Sequence, residues 1–366
     1  MVIKSISLTN FRSFTNISLS FDDRGAVFYG KNGIGKTNLL EAICFFAYGK
    51  SFSAPSDLDL VKRDTDYFHI KGEFLLQQRK FLFEASFDNK ARKLIKVNNQ
   101  RLQRVSDLYK YLKIVYFSHD DINLIEGSPK RRRQFFDLAI SQSNLRYLER
   151  YKDYSQILKH RNALLKTDYA QAEKKVWDSR LIECAADITN ARLEYIKKLN
   201  TELKKHYAKI GYSQEDVAIE YQFSFKMRKE SELKEVFASE LRRVEREEKL
   251  YQRTMIGPHL DDYNFTLNDQ NINRFGSFGQ KRCFAIAIKL GMANLLSKND
   301  KEEAILIFDD VLSDLDEQRT KCIIDSLGMG NQIFVATPSP APYKALNLSF
   351  IDLENRIGNP NIRDES

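Results

Sequence analysis

The stretch GKNGIGKT at Gly30–Thr37 decides how this chain folds. It fits the pattern G-x-x-x-x-G-K-[ST], in which glycines let the backbone wrap around an anion and N–H groups point at phosphates. An apolar segment precedes the stretch and a run with helical spacing follows it, so we predict a strand, a phosphate-binding loop and a helix. The candidate contacts to a nucleotide are Gly30, Lys31, Asn32, Gly33, Ile34, Gly35, Lys36 and Thr37.

A second motif supplies the acids that a nucleotide site with this loop needs. The segment AILIFDDVLSDLD, residues 304–316, is typical of a buried strand that ends at Asp309 and Asp310. Asp309 is placed to hold Mg²⁺ through water together with the hydroxyl of Thr37, and Lys36 would reach the β- and γ-phosphates. Asp310 is placed beside the γ-phosphate, where a carboxylate orients or deprotonates the attacking water. The expected cofactors are ATP and Mg²⁺.

A glycine-containing helix start forms a third motif, upstream of the acids. In FGSFGQKRCFAIAIKLGMANLL, the residues Ser277, Gly279 and Gln280 precede or open a helix whose first turn carries Lys281 and Arg282. Small residues at a helix N-terminus make an anion site. The stretch is similar to the signature motif of ABC-type ATPases, which caps the γ-phosphate bound by another subunit. Alone it could be an ordinary glycine-rich helix cap.

Composition limits the classes of partner and compartment. The 366 residues include 58 Lys and Arg against 50 Asp and Glu, a net charge of +8 that favours a polyanionic partner without proving one. No run approaches the roughly 18 to 20 apolar residues of a membrane span, and the N-terminus lacks a signal-peptide core. The four cysteines include no C-x-x-C pair, which argues against a zinc hook or a disulfide framework. We expect a cytoplasmic protein that contacts no membrane.

The distribution of proline divides the chain. No proline stands between Pro129 and Pro258, and most of this interval has the spacing of long, charged, amphipathic helices. VAIEYQFSF at Val217–Phe225 alternates like a strand, and the flanking segments contain strand-like runs such as KIVYF and QIFVAT. We predict an α/β fold, with one nucleotide-binding head split by a helical arm, the head at residues 1–125 plus 251–366 and the arm at 126–250.

From LTNFRSF to QIFVAT, the chain resembles the RecF family, the bacterial recombination mediators among the SMC/Rad50-like ABC ATPases. The resemblance is carried by GKNGIGKTNLLEAI, FSHDDINLIEGSPKRRRQFFD, GPHLDD, SFGQKR and DDVLSDLD. It implies an ABC-type P-loop ATPase head with a short, lever-like helical arm, ATP-dependent homodimerisation, weak ATP hydrolysis and binding of double-stranded and gapped DNA. It also implies help in loading the strand-exchange recombinase in DNA repair and replication restart, with RecR and RecO as partners.

The resemblance assigns further residues. Arg12 matches a family arginine near bound nucleotide, although a surface charge at a strand end gives the same pattern. Thr337 stands at the switch position, before the proline-rich run PSPAP. Leu260 in GPHLDD departs from the family, which usually has arginine there, and leucine supplies no charge at that position. The loop after the acidic strand, the D-loop, contributes Ser313, Asp314 and Asp316.

A basic segment is the candidate DNA surface. Between Glu126 and Lys166, ten Lys and Arg stand against four Asp and Glu. Such a run is often only a solvated face, but guanidinium groups near aromatic residues also suit phosphate contacts without base readout. We expect salt-dependent binding that ignores DNA sequence. The candidate contacts are Lys130, Arg131, Arg132 and Arg133.

Other classes of ATPase fit the sequence less well. The main alternative is an ABC-type motor subunit coupled to another partner, as in a transporter, but the long helical insertion between loop and signature counts against it. An SMC or Rad50 protein needs far longer heptad arms and a hinge or hook, which this insertion lacks. A small-molecule kinase needs no γ-phosphate cap from another subunit. The prediction is therefore a short-armed ATPase of the RecF kind.

Overall fold

A computed structural model describes residues 1–51, 54, 56–90, 92–212, 214–226, 232–300, 302–312, 315–327 and 330–358. The predicted D-loop residues Ser313 and Asp314 lie outside the described residues. The chain forms two compact units, which are Met1–His119 with Lys209–Gly211 and Lys289–Ser366, and Asp120–Ala208 with Tyr212–Ile288. The predicted division into a head and an arm stays a prediction, and in the structure residues 251–288 belong to the second unit.

The strands of the described residues, in chain order, are β1 (Val2–Phe11), β2 (Phe14–Ser20), β3 (Gly25–Tyr29), β4 (Tyr67–Leu76), β5 (Arg79–Asp88), β6 (Lys93–Val97), β7 (Gln100–Arg101), β8 (Ile114–Ser118), β9 (Val217–Gln222), β10 (Asp262–Leu267), β11 (Gln270–Asn271), β12 (Ile305–Asp309), β13 (Ile333–Thr337) and β14 (Ser349–Asp352). The α-helices are α1 (Lys36–Tyr48), α2 (Asn123–Glu126), α3 (Pro129–Ser143), α4 (Leu145–Leu164), α5 (Gln171–Lys209), α6 (Leu233–Arg243), α7 (Glu245–Tyr251), α8 (Ile272–Phe275), α9 (Phe278–Asp300), α10 (Glu317–Ser326) and α11 (Leu353–Gly358).

The first unit is built around a parallel sheet with the strand order β14-β3-β13-β12-β8. Its central strands are continuous apolar runs, as expected for a parallel sheet covered on both faces. In β12 the residues Ile305 to Phe308 are all buried. The register pairs Asp309 with Ser118 of β8 and with Ala336 of β13, so the ends of these strands lie at one edge of the sheet. Ligands bind at this carboxyl edge in open α/β sheets.

Helix α1 contacts both sheets of the first unit. It touches β8, β12 and β13 of the parallel sheet and β1 of a second, antiparallel sheet with the order β2-β1-β4-β5-β6-β7. A helix covered from two sides is largely apolar all round. The run from Leu39 to Tyr48 is buried throughout, and its one charged residue, Glu41, pairs with Arg12. The predicted helix after the phosphate loop is confirmed. It is held by tertiary packing as well as by its own sequence.

The second unit combines helices with a three-stranded sheet, β11-β10-β9. Arg192 of the long helix α5 is buried inside the second unit. Its guanidinium pairs with Asp137 of α3 and donates to the carbonyl of Pro258 at 2.7 Å. Arg161 of α4 is likewise fully buried and pairs with Glu248 and Asp178. Buried charges persist only when they are paired and hydrogen-bonded. These two clusters therefore fix how the helices of this unit pack.

Several local predictions are confirmed. KIVYF and QIFVAT form β8 and β13, the strand predicted at Val217–Phe225 is β9, and the predicted long helices are α4 and α5. The α/β class is also confirmed by the parallel sheet and its helices. Among the helices of the described ranges, none has the length and apolar character needed to cross a membrane.

Candidate nucleotide site

The loop Gly30–Thr37 connects β3 to α1 at the carboxyl edge of the parallel sheet. Gly35 has a φ of +109°, a backbone conformation that residues other than glycine rarely adopt. A Cβ at Gly35 would lie 2.7 Å from Oγ of Ser13 and 2.9 Å from Cζ of Phe14. Both backbone conformation and space therefore require glycine where the loop enters the helix, which keeps the helix N-terminus open to an anion.

Lys36 is folded into this loop. Its Nζ donates to the carbonyl of Gly30 at 2.6 Å and to that of Lys31 at 2.9 Å. Burial lowers the pKa of Lys36, and the nearby carboxylates of Asp310, Asp309 and Glu354 oppose that shift. The ammonium group is thus held by two carbonyls of the loop that is predicted to bind phosphate.

Asp309 lies at the end of β12, opposite the loop. Its Oδ1 accepts a hydrogen bond from Thr37 at 2.9 Å and its Oδ2 accepts one from Tyr116 of β8 at 2.7 Å. Burial raises the pKa of the Asp309 carboxyl, and these two hydrogen bonds oppose the rise. A hydroxyl and a carboxylate side by side supply the hard oxygen atoms that Mg²⁺ takes alongside nucleotide phosphates. Thr37 and Asp309 therefore fit the predicted metal role.

Asp310 follows directly and has an unusual backbone. Its φ is +52°, in the left-handed region, and its N–H donates to the carbonyl of Ala336 at 2.9 Å. Aspartate tolerates this conformation better than most residues. Its carboxylate lies 3.9 Å from Nε2 of His119, which follows β8. The Asp310 carboxylate therefore lies near His119, whereas the Asp309 carboxylate accepts from Thr37 and Tyr116, and the separate roles of the two acids stay predictions.

Arg12 makes contacts within the first unit. Its guanidinium donates to the buried carboxylate of Glu41 on α1 at 2.9 and 3.3 Å and to the carbonyl of Asp59 at 3.0 Å. Arg12 therefore ties the β1–β2 turn to the helix that follows the phosphate loop. Its predicted contact with nucleotide stays a prediction.

The signature stretch opens α9 in the second unit. Ser277 Oγ accepts from the N–H of Gln280 at 3.2 Å, and the side-chain carbonyl of Gln280 accepts from the N–H of Ser277 at 2.8 Å. This reciprocal arrangement is a capping box. The Gln280 amide also donates to Glu215 at 2.8 Å, and Lys281 pairs with Glu126. Ser277 itself is exposed. The helix start is therefore capped by its own side chains, and its serine is exposed.

The remaining predicted site residues of the first unit have local roles. Asp316 caps α10 by accepting from the N–H of Arg319 at 2.8 Å. Thr337 ends β13, and its hydroxyl donates to the carbonyl of Ser339 at 3.0 Å. These contacts do not test the assignment of Asp316 to the D-loop or of Thr337 to the switch position, and both assignments stay predictions.

The four residues of the basic run Lys130–Arg133 divide into two pairs. Lys130 and Arg131 are exposed on α3. Arg132 forms a bidentate ion pair with Asp262, in which both N–O distances are 2.7 Å. Arg133 donates to the carbonyl of Asp261 at 2.7 Å. Two of the four predicted DNA contacts therefore already bind protein groups.

The GPHLDD segment has a structural role that its sequence did not predict. His259 Nδ1 lies 2.6 Å from the hydroxyl of Tyr154, and Asp261 accepts from the N–H of Ser224 at 2.7 Å. Burial lowers the pKa of His259 to about 4, so its imidazole is neutral at neutral pH. Leu260 is 44% exposed. The segment joins α4 to the strands of the second unit.

Three residues of the nucleotide site were not predicted from the sequence. Tyr116 contacts Asp309, Glu41 holds Arg12, and Glu354 of α11 accepts from the N–H of Lys31 at 2.8 Å. Tyr116 and Glu41 are polar groups inside apolar runs, and that contrast was an available signal. Glu354 carries no such signal because its partner is more than three hundred positions away.

The sequence matches known proteins over nearly its full length. Residues 2–346 match the family described as RecF/RecN/SMC N terminal domain. The chain is 34% identical over 345 residues to the DNA replication and repair protein RecF of Bacillus cytotoxicus, which covers 93% of this chain and 92% of that protein. The same identity holds over 347 residues to the protein of that name from Bacillus mycoides.

Solved structures agree with this. One solved structure is described as that of the recombination mediator protein RecF-ATPrS in the RecFOR pathway. It superposes on this chain with a TM-score of 0.84 at 30% identity, and the match covers 93% of each chain. An SMC head bound to the C-winged helix domain of ScpA has a TM-score of 0.56 at 16% identity, which reports the fold alone. The predicted ABC-type ATPase fold is confirmed.

Proposed function

Because this chain belongs to the RecF family of DNA replication and repair proteins, we propose that it is an ATP-dependent, DNA-binding recombination mediator. It would dimerise on ATP at gapped DNA or at single-strand/double-strand junctions, in the cytoplasm, and help to load the strand-exchange recombinase. The observation that carries the proposal is the convergence of Lys36, Thr37, Asp309 and Asp310 at one edge of the parallel sheet.

Within this site, each residue has a role that follows from its position. Lys36 would bind the β- and γ-phosphates, and Thr37 and Asp309 would hold Mg²⁺. Mg²⁺ neutralises charge on the phosphates when bound. Asp310 would orient or deprotonate the attacking water. The solved relatives named RecF-ATP and RecF-ATPrS support ATP as the nucleotide.

The signature is the part of the site that needs a second copy of the chain. Ser277 is exposed at a helix start where the side chains of Gln280 and Lys281 bond within their own unit. We assign Ser277 and the following N–H groups to the γ-phosphate held by the partner copy. ATP is then part of the dimer interface, and dimerisation depends on it.

Replacing Ser277 with arginine should separate nucleotide binding from dimerisation. The long cation occupies the space of the γ-phosphate cap, so we expect near-normal ATP binding but loss of ATP-dependent dimerisation and of hydrolysis. Light scattering with and without ATP measures the first effect. Gln156→Arg adds the same charge at an exposed position of α4 and should dimerise normally. Normal dimerisation of Ser277→Arg would contradict the assignment.

The DNA surface in this proposal rests on the exposed pair Lys130 and Arg131. Arg132 and Arg133 are engaged with Asp262 and the carbonyl of Asp261, so we assign them to the fold of the second unit. Phosphate contacts release counterions, and each lost contact lowers the slope of log affinity against log salt by about 0.9 for duplex DNA. This surface carries no base-edge readout, so its effect is independent of sequence.

We therefore expect Lys130→Gln with Arg131→Gln to weaken binding to all duplexes and to flatten the salt slope by about 1.8. Arg132→Gln should instead lower the melting temperature, because Asp262 loses its partner, and leave the salt slope unchanged. A salt titration beside a melting curve distinguishes the two. A wild-type slope in the double variant would move the DNA site elsewhere.

The partner proteins complete the proposal. RecR and RecO are the partners we propose, since the solved RecF relative is described within the RecFOR pathway. Co-purification with each of them, with and without ATP and gapped duplex DNA, tests this step independently of the nucleotide site.

A further inference from the structure

Tyr116 contacts the proposed metal-binding acid from the neighbouring strand. Its phenol hydroxyl donates to Oδ2 of Asp309 at 2.7 Å, while Thr37 donates to Oδ1 at 2.9 Å. We propose that Tyr116 is a positioning residue that sets the orientation of the Asp309 carboxylate and thereby the affinity of the site for Mg²⁺. The inference rests on the proposed function, because it concerns the same nucleotide site.

The register of the sheet explains how the two side chains meet. Strands β8 and β12 run parallel, with Tyr116 opposite Ile307 and Ser118 opposite Asp309. Side chains two residues apart on a strand point to the same face. Tyr116 therefore lies on the same face as Asp309, one diagonal step behind it, and its hydroxyl reaches the carboxylate at 2.7 Å.

The backbone beneath Tyr116 is also held. Lys289, in the part of α9 that belongs to the first unit, is buried and donates to the carbonyl of Tyr116 at 2.5 Å. The next residue, Phe117, stacks on Phe308 with ring centroids 4.4 Å apart. The hydrogen bond from Lys289 and the packing of Phe117 hold the backbone of β8 at this point, so the position from which the Tyr116 side chain extends to Asp309 is set.

The chemical consequence concerns the plane of the carboxylate. A carboxylate with one hydrogen-bonded oxygen can rotate about its Cβ–Cγ bond, whereas one bonded through both oxygens is fixed. With Oδ2 held by Tyr116, Oδ1 stays directed at Thr37, the residue proposed to touch the metal. Removing such a supporting hydrogen bond typically lowers metal affinity about 10- to 100-fold.

Tyr116→Phe removes only the hydroxyl and is the decisive variant. The measurement is binding of a fluorescent ATP analogue during a Mg²⁺ titration, with the Mg²⁺-free affinity determined in EDTA. We expect the half-saturating Mg²⁺ concentration to rise about 10-fold, with the affinity in EDTA and the melting temperature unchanged. A loss of fold would also lower the affinity in EDTA and the melting temperature, so it is distinguishable from a specific effect on Mg²⁺. An unshifted Mg²⁺ titration overturns the inference.

Two further variants sharpen the test. Tyr48→Phe is the control, because it removes a hydroxyl that donates to the carbonyl of Ile114 at 2.5 Å, and Ile114 lies on the same strand as Tyr116. This hydrogen bond does not involve Asp309, so the variant should leave Mg²⁺ affinity unchanged. In an Asp309→Ala background, Tyr116→Phe should have no additional effect on Mg²⁺ affinity, because the oxygen atoms that accept from Tyr116 are gone. Independent, additive effects would contradict the proposal. A wild-type protein that fails to bind ATP with Mg²⁺ would instead contradict the proposed function.

Discussion

Lys36→Ala is expected to weaken ATP binding about 100-fold or more. Removing one partner of a buried charge pair costs roughly 2 to 5 kcal/mol, and about 1.4 kcal/mol is a factor of ten. The side chain is 8% exposed and its ammonium group lies within hydrogen-bonding distance of two loop carbonyls. No other cation of the phosphate loop is placed to replace it, since Lys31 pairs with Glu354.

The measurement is equilibrium binding of a fluorescent ATP analogue. Lys50→Ala is the matched control, because it removes an exposed lysine just beyond the other end of α1 and should bind ATP like the wild type. A melting curve without nucleotide establishes that Lys36→Ala is folded. Undiminished ATP affinity in the folded variant would remove the phosphate-loop assignment.

Asp310→Asn is expected to lower ATP hydrolysis by about 10²-fold or more, the usual scale for a lost general base. Asparagine keeps the shape of aspartate and tolerates positive φ as well, so the turn at +52° should survive. Nucleotide binding should be retained, and the ATP-bound dimer should live longer because its nucleotide is not turned over.

Single-turnover hydrolysis and the lifetime of the dimer measure these two effects. Asp325→Asn makes the same chemical change at an exposed position of α10 and should hydrolyse ATP at the wild-type rate. If Asp310→Asn also retains the wild-type rate, the base lies elsewhere, and His119, 3.9 Å from the Asp310 carboxylate, becomes the next residue to test.

Much of the site was predictable because its pieces are local in sequence. The phosphate loop needs glycine where the backbone approaches an anion, and the acids need an apolar strand before them, so both are visible as short patterns. The capping box of Ser277 and Gln280 is local in the same sense. Long stretches of helix and strand were predictable for the same reason, since their periodicity is a property of neighbouring residues.

The roles of the basic run could not be predicted in this way. Lys130 to Arg133 are four similar cations in sequence, yet Arg132 pairs with Asp262, 130 positions away, while Lys130 and Arg131 stay exposed. Helical geometry points successive side chains in different directions. Which of them meets an acid depends on where β10 packs, and no local pattern carries that information.

The sequence by itself determined the α/β class, the phosphate loop, the acidic strand end and the resemblance to the RecF family. Only the tertiary structure decided that Tyr116 supports Asp309, that Glu41 holds Arg12 and that Glu354 reaches Lys31. The physical reason is the range of the interactions. Loop conformation and strand periodicity arise between neighbours in the chain, whereas these three contacts exist only once sheet register and helix packing have brought distant residues within hydrogen-bonding distance.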